Sequence, residues 1–166
     1  MFALGIDPGL SRCGYGAVRS NGGRLQAVAF GHLTTPVDEA LADRLAALWA
    51  DLEELLDDLK PDVVVVERVL FQVNARTAMS VGQASGLALV AAARRQVPVV
   101  QYSPNEVKLA VTGYGAAGKE QVQSMVQVLL GLDEAPRPAD RADALALAIT
   151  HLSGAGLRSA AAGAQP

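Results

Sequence analysis

The order of hydrophobic and polar positions along the chain predicts three strands, followed by alternating helices and strands. The apolar run FALGID near the beginning is typical of a short buried strand. The runs YGAVRS and RLQAVAFGHLTT predict two more strands, and Asn21-Gly22-Gly23 between them predicts a hairpin turn. Further along, the β-branched run DVVVVE predicts a central strand covered on both faces, and VPVVQY predicts another buried strand.

Helices are predicted between and after these strands. Thr35-Pro36 predicts the start of the first helix, and leucines spaced by three and four residues continue it as far as Pro61. Later helices are expected at about 75–95, 104–111, 118–130 and 138–153. These elements predict an α/β fold with a mixed central sheet flanked by helices. Residues 1–153 would form the domain, and the low-complexity segment 154–166 is expected to be a disordered tail.

Composition narrows the class of protein. The 166 residues suffice for one domain, and 51% hydrophobic with 19% charged residues indicates a globular chain. The single cysteine, Cys13, excludes an intramolecular disulfide framework and a cysteine zinc cluster, and it suits a reducing compartment. The sequence shows neither a leader-like pattern nor a membrane-length apolar stretch, so we expect a cytoplasmic protein with no membrane partner.

The charge of the chain is unevenly distributed. The net charge of −3 argues mildly against a nucleic-acid partner. However, residues 38–60 hold eight acidic residues against two basic ones, and the rest of the chain carries a small excess of bases. The acidity is therefore concentrated in the first predicted helix, which leaves room for a basic face elsewhere.

Four acidic residues are candidates for a shared site. Asp7 ends the first predicted strand, Glu67 ends the VVVV strand, and Asp140 and Asp143 are three residues apart at a predicted helix start. Functional groups gather at the carboxyl ends of parallel strands, so the four carboxylates converge if the strands are neighbours and the helix crosses them. Such a cluster needs compensating cations, and hard oxygen ligands suit Mg²⁺ or Mn²⁺ rather than zinc.

Each of these acids also has a simpler interpretation. Asp7 precedes Pro8-Gly9 and would serve in a turn, Glu67 would mark a strand's exit to solvent, and acids are favoured in a first helical turn. The combination favours a site, because acids that terminate apolar strands are costly unless something uses them. Gly14 and Gly16 are interpreted as letting the second strand pass close to that site.

Two phosphate-binding interpretations of the glycines are weaker. GLSRCG has the glycine spacing of a P-loop, but Tyr15-Gly16 replaces the required Lys-Ser/Thr. The first two strands also resemble the phosphate-binding hairpin of sugar kinases, actin and the Hsp70 ATPases. Those proteins need two such lobes, and this chain has room for one.

Several motifs together resemble the RuvC family of bacterial Holliday-junction resolvases. They are GIDPGL and GYG, VVVVER, GQASGLALVAAA, QYSPNEVKLAVTGYGAAGKEQVQSMV and ADRADALALAITH, in order from about residue 3 to 152. The resemblance implies a ribonuclease H-like fold and a homodimer that acts on four-way DNA junctions. It further implies a metal-dependent crossover junction endodeoxyribonuclease that makes paired symmetric nicks during recombination and repair.

The resemblance also implies roles for individual residues. Asp7, Glu67, Asp140 and Asp143 fall on the family's catalytic, metal-binding acids, which implies two Mg²⁺ per subunit, with Mn²⁺ possible, and hydrolysis to 5′-phosphate ends. In some relatives a histidine stands where this chain has Asp140. The same comparison implies working partners, the RuvA and RuvB branch-migration proteins.

Residues for DNA contact are less uniformly supported. Lys108 and Lys119 match family positions that contact DNA, although solvated helix lysines are common on pattern alone. The family places an aromatic residue at the position of Leu70, whereas here Phe71 follows one residue later. Phe71 would act either as the wedge that stacks on junction bases or as a loop anchor. Arg76 would extend a basic surface, together with Arg68, Arg94 and Arg95, although Arg94-Arg95 would equally mark a helix C-terminus.

Remaining features leave alternatives open. The helix with Gly82 and Gly86 matches the family's dimer interface, but packing within the chain would use the same small residues. Cys13 and His151 are expected to be structural. The competing functions are a ribonuclease H-like RNA-processing nuclease and an inactive junction-binding protein. The matched lysines and the double-glycine helix argue against the first, and the presence of all four acids argues against the second.

Overall fold

The computed structural model describes residues 1–69 and 75–162. The strands are β1 (Phe2–Asp7), β2 (Arg12–Asn21), β3 (Arg24–Thr34), β4 (Val63–Glu67) and β5 (Val99–Tyr102). The helices are α1 (Leu41–Leu59), α2 (Ala75–Arg94), α3 (Pro104–Thr112), α4 (Lys119–Leu130) and α5 (Ala139–Ala162). Among the described residues, no helix combines the length and the apolar character needed to cross a membrane.

The five strands form one mixed sheet, as the sequence predicted. Its order is β3-β2-β1-β4-β5, so β1 is the central strand. β2 pairs antiparallel with both β1 and β3, whereas β4 pairs parallel with both β1 and β5. The hairpin prediction is confirmed: Asn21 pairs with Arg24, and Gly22 and Gly23 adopt φ values of 57° and 88°. Glycine adopts such positive φ values more easily than residues that carry a Cβ atom, which favours a turn at these positions.

Helices cover both faces of the sheet and create two cores. α1 and α2 pack on one face, and α3, α4 and α5 pack on the other. The predicted central strand β4 shows why its sequence is continuously apolar. Val63 and Val65 point into the core with α3–α5, while Val64 and Val66 point into the core with α1 and α2.

Three glycines of β1 and β2 allow α5 to lie unusually close to the sheet. A Cβ atom added at Gly5 would collide with the backbone of Ala144, and one at Gly14 would collide with the backbone of Asp140. One at Gly16 would stand 2.6 Å from the backbone nitrogen of Leu145. β2 does pass beside the site, because Gly14 pairs with Asp7, and the structure adds that Gly14 and Gly16 also make room for α5.

Two helix ends differ from the sequence prediction. α1 begins at Leu41 with Ala40 as N-cap, so the predicted start at Thr35-Pro36 was wrong. Thr35 is buried, and its hydroxyl donates to the carbonyl oxygen of Leu10 at 2.6 Å, so it anchors a loop instead of capping the helix. α5 runs past the predicted end at 153 to Ala162, and the expected disorder of 154–166 stays a prediction.

Candidate active site

Two carboxylates stand at adjoining strand ends. β1 and β4 are parallel neighbours in which Ile6 pairs with Val66, so Asp7 and Glu67 are the next residues on each strand. On its other side, Asp7 pairs with Gly14 of β2. The carboxylate of Asp7 therefore lies at the end of the central strand, where neighbouring elements can approach it from both sides.

The first turns of α5 bring two more carboxylates to the same place. Asp140 is the second residue of the helix, and Asp143 follows one turn later on the same face. The backbone of Asp140 lies against Gly14, the residue that pairs with Asp7. The close packing of α5 against the glycines therefore determines how near Asp140 and Asp143 lie to Asp7.

All four acids line one cleft of about 310 Å³. Lys108 of α3 and Lys119, the first residue of α4, line it as well. A capping box between Ser103 and Glu106 fixes the start of α3, whose side chains Val107 and Val111 are buried in the core. The structure therefore brings together the four acids and the two lysines that the sequence analysis proposed for the site.

The environment of the cleft disfavours the ionised form of its carboxyl groups. Burial, followed by the charges of Glu67, Asp143 and Asp140, raises the pKa of Asp7 to about 8, while Lys119 acts in the opposite direction. Burial also raises the pKa of Glu67 and that of Asp143 above their ordinary values. The two lysines lower both, but they do not cancel the effect of burial. Added positive charge would therefore be stabilising in this cleft.

The donor chemistry of the cleft fits a hard divalent cation. In the described part of the chain, no group of three or more His, Cys, Asp or Glu side chains is already drawn together as a metal-binding set. Mutual repulsion of the carboxylates opposes such convergence, and a cation would offset it. The available ligands are carboxylate oxygens, which suit Mg²⁺ or Mn²⁺.

An arginine that the sequence analysis missed contacts one of the acids. The Nη1 atom of Arg12 lies 3.4 Å from Oδ2 of Asp140, across 128 positions of sequence. The loop before Arg12 is held by Arg44, which donates to the hydroxyl of Ser11 at 2.7 Å and to that of Thr35 at 3.0 Å. These contacts could not be predicted from local sequence patterns, because they join residues from elements that are distant in the sequence.

The structure describes some of the other residues predicted to contact DNA, but not the predicted wedge. Leu70 and Phe71 lie outside the described residues, and so does the side chain of Arg76. Arg68 donates to the carbonyl oxygen of Gln101 at 3.1 Å and stays half exposed. The expectation that Arg95 extends a basic surface was wrong, because its guanidinium is bound by carboxylates of α1.

Cys13 and His151 occupy structural positions, as expected. Cys13 is buried in the core beneath α1 and α2, and burial raises the pKa of its thiol to about 12, which disfavours the reactive thiolate. His151 is also buried, with Nδ1 3.2 Å from the hydroxyl of Tyr102.

One face of α2 is apolar and does not pack against the rest of the described chain. A Cβ atom added at Gly82 or Gly86 would meet nothing within 4 Å. Met79 and Val90 lie on the same face and are 66% and 51% exposed. Packing on the sheet is performed instead by Ala84, Ala88, Ala91 and Ala92. The alternative that Gly82 and Gly86 serve packing within the chain is therefore not supported.

The mixed five-stranded sheet with helices on both faces is a ribonuclease H-like fold. The fold matches that of the yeast mitochondrial Holliday junction resolvase with a TM-score of 0.64, covering 89% of this chain and 77% of that one, at 14% identity. At that identity the match concerns the fold alone.

Comparisons at higher identity then give the family. The family model for crossover junction endodeoxyribonuclease RuvC matches residues 3–151. The chain is 50% identical to the RuvC of Moorella thermoacetica over 153 residues, which cover 92% of each protein. It is 40% identical to Thermus thermophilus RuvC, solved in complex with Holliday junction substrate, with a TM-score of 0.89 and coverage of 95% and 96%. The chain belongs to the RuvC family.

Proposed function

We propose that this protein is a metal-dependent, structure-specific endonuclease that resolves four-way DNA junctions by paired symmetric nicks. The observation that carries the proposal is the cleft, in which four carboxylates and two lysines meet in a chain of the RuvC family. Its Thermus thermophilus relative is described in complex with a Holliday junction substrate. Acids of this kind supply metal ligands, and the lysines supply contacts for phosphate.

The acids would hold the metal. Asp7 would be the central ligand, because it ends the central strand, with Glu67 from β4 and Asp140 and Asp143 from α5 around it. We propose two Mg²⁺ ions per subunit, with Mn²⁺ as an alternative. Bound divalent cations would supply an activated water and stabilise the leaving oxygen of a phosphodiester. The burial that raises the pKa of Asp7 also lowers the local dielectric, so its carboxylate interacts more strongly with a bound cation.

The lysines would position the DNA backbone. Lys108 and Lys119 line the cleft on the side formed by α3 and α4, and both lower the pKa values of Glu67 and Asp143. A phosphate entering between lysines and acids would meet positive charge on one side and metal on the other. Phe71 and Arg76 remain sequence-based proposals for contacts with junction bases and backbone.

The open face of α2 would form the dimer interface. Small residues at Gly82 and Gly86, with exposed Met79 and Val90 on the same face, permit close approach of a second helix. An isologous dimer would place two clefts on opposing strands of a junction that is itself nearly two-fold symmetric. Cytoplasmic location and partnership with RuvA and RuvB are proposed from the sequence and its family.

The test is a cleavage assay on three substrates. The protein would be incubated with a labelled mobile four-way junction, a plain duplex and a structured RNA, each with Mg²⁺, Mn²⁺ or EDTA. We expect paired symmetric nicks in the junction alone, with 5′-phosphate ends, and no product with EDTA. Cleavage of the RNA instead would favour an RNA-processing nuclease, and binding without cleavage would favour a junction-binding protein.

A further inference from the structure

Arg12 provides the cleft with a cation beside one of its acids. Its guanidinium lies 3.4 Å from the carboxylate of Asp140, and the two side chains are 52% and 30% exposed. Arg12 does not itself line the cleft, but it is paired with one of the lining acids and its side chain is half exposed, so a DNA backbone that approaches Asp140 would reach it. A guanidinium binds carboxylate and phosphate with the same planar donor geometry. It is therefore able to exchange one partner for the other.

Both partners of this ion pair are held by rigid elements. Arg12 is the first residue of β2 and pairs with Thr34 of β3. Just before it, Arg44 donates to the hydroxyl of Ser11, and the carbonyl oxygen of Leu10 accepts from buried Thr35. On the other side, the backbone of Asp140 is seated on Gly14. The fold thus sets how near the two backbones lie, while the half-exposed side chain of Arg12 is left able to change partner.

We infer that Arg12 couples metal binding to DNA binding. In the free protein its guanidinium pairs with Asp140 and competes with a cation for that carboxylate. When a DNA phosphate arrives, the guanidinium transfers to it, and Asp140 becomes available as a metal ligand. Each ligand then strengthens the binding of the other by the same factor, because coupling free energies are reciprocal. The inference rests on the proposed function, since it takes Asp140 as a metal ligand and DNA as substrate.

The experiment measures binding rather than cleavage. Ca²⁺ is a suitable probe because it prefers oxygen ligands, and its affinity is measured by titration calorimetry with and without a four-way junction. Electrophoresis of the junction after each titration verifies that it is intact. The variants are Arg12→Gln, which removes the charge, and Arg12→Lys, which keeps it without the planar fork. Arg24→Gln is the matched control, because Arg24 is exposed at the opposite end of the same strand pair.

The inference predicts opposite effects of Arg12→Gln on the two ligands. Without DNA, this variant should bind Ca²⁺ about two- to fivefold more tightly than the native protein, the range typical of a partly exposed ion pair. In EDTA it should bind the junction more weakly, with a salt slope reduced by about one. The native protein should bind Ca²⁺ more tightly when the junction is present, and Arg12→Gln should lose most of that gain. Arg12→Lys should fall between the two, and Arg24→Gln should resemble the native protein.

Three results would overturn the inference. Unchanged or weaker Ca²⁺ binding by Arg12→Gln, with binding still abolished by Asp7→Asn, would remove the role of Arg12 and leave the proposed function intact. If Arg12→Gln and Arg24→Gln changed Ca²⁺ affinity and junction binding equally, the changes would be due to the net charge of the protein and not to the position of Arg12. Ca²⁺ binding that does not depend on Asp7 would contradict both the metal site of the proposed function and the inference built on it.

Discussion

The two acidic regions of this protein, the surface of α1 and the cleft, shift the pKa values of their carboxylates in opposite directions. On α1, Glu53 and Asp57 bind the guanidinium of Arg95, with Asp57 at 2.8 Å, and this hydrogen bond holds the pKa of Asp57 below its ordinary value. In the cleft, burial and neighbouring acids raise the pKa of Asp7 to about 8. The difference lies first in burial, because burial is the largest cause of the raised pKa of Asp7 whereas the side chain of Asp57 is 68% exposed, and then in whether the chain supplies a cation in contact with the acid. The α1 acids Glu53 and Asp57 have their cation within the fold, whereas the cleft acids would be stabilised by one that binds.

The largest expected difference between the regions is in catalysis. Asp7→Asn should reduce junction cleavage by about a thousandfold or more, because it removes a metal ligand that contributes several kcal/mol to the transition state. Asp57→Asn, the matched change on α1, should leave cleavage unchanged. Single-turnover rates with Mg²⁺ measure both. A loss of rate in Asp57→Asn comparable to that in Asp7→Asn would show that the two regions are not functionally distinct.

The second largest difference between the two regions should be in how the free energy of unfolding depends on pH. The pKa of Asp7 is about 8 in the folded protein and near 3.8 in the unfolded chain. Below pH 3.8 Asp7 is protonated in both states; as the pH rises towards 8 only the unfolded chain releases its proton, so stability is lost. One such group contributes at most about 1.4 kcal/mol per pH unit.

Denaturant unfolding in EDTA between pH 5 and 8 measures this slope. Asp7→Asn should flatten it and should be more stable than the native protein at pH 8, and Mg²⁺ should also flatten it for the native protein. Asp57→Asn should leave the slope between pH 5 and 8 unchanged and lower stability equally across that range, because a lowered pKa contributes stability that is fully present above the unfolded value of 3.8 and is lost only on further acidification. The same slope in Asp7→Asn as in the native protein would contradict the assignment to Asp7.

The contrast between the regions was only partly predictable from sequence. Strand periodicity placed Asp7 and Glu67 at strand ends, and the spacing of Asp140 and Asp143 placed both on one helix face, because these signals are local. The family motifs supplied Lys108 and Lys119. The concentration of acid on α1 was also visible as a run of charge, although the position of Arg95 against it was not.

What the sequence could not supply depends on contacts between distant elements. The closeness of α5 to the sheet follows from Gly5, Gly14 and Gly16, whose meaning appears only when a helix from the far end of the chain lies over them. The Arg12–Asp140 pair joins two such elements. The start of α1 was predicted at the wrong residue for a similar reason. Thr35 is a residue type that commonly caps helices, but its hydroxyl donates a hydrogen bond to the carbonyl oxygen of Leu10, which is distant in sequence.

Removing the internal cation of the α1 region should affect stability. Arg95→Met should lower the free energy of unfolding by about 1–2 kcal/mol, because Glu53 and Asp57 lose a partly buried partner. The neighbouring Arg94 provides the control: it is exposed over the ring of Trp49 at 5.8 Å, and Arg94→Met should cost about 0.5 kcal/mol or less. Chemical denaturation at pH 7 measures both, and equal losses would contradict the special role of Arg95.

Removing a cation of the cleft should instead affect binding. Lys119→Gln should weaken junction binding in EDTA by about two- to tenfold and reduce the slope of log affinity against log salt by about one, because one phosphate contact is lost. Fluorescence anisotropy at several salt concentrations measures both quantities, with Arg24→Gln as the control of equal charge change. If the two variants gave the same slope, Lys119 would contribute only to the overall charge of the protein. A smaller slope in Lys119→Gln alone would mean that cations of the cleft serve the ligand, whereas Arg95 serves the fold.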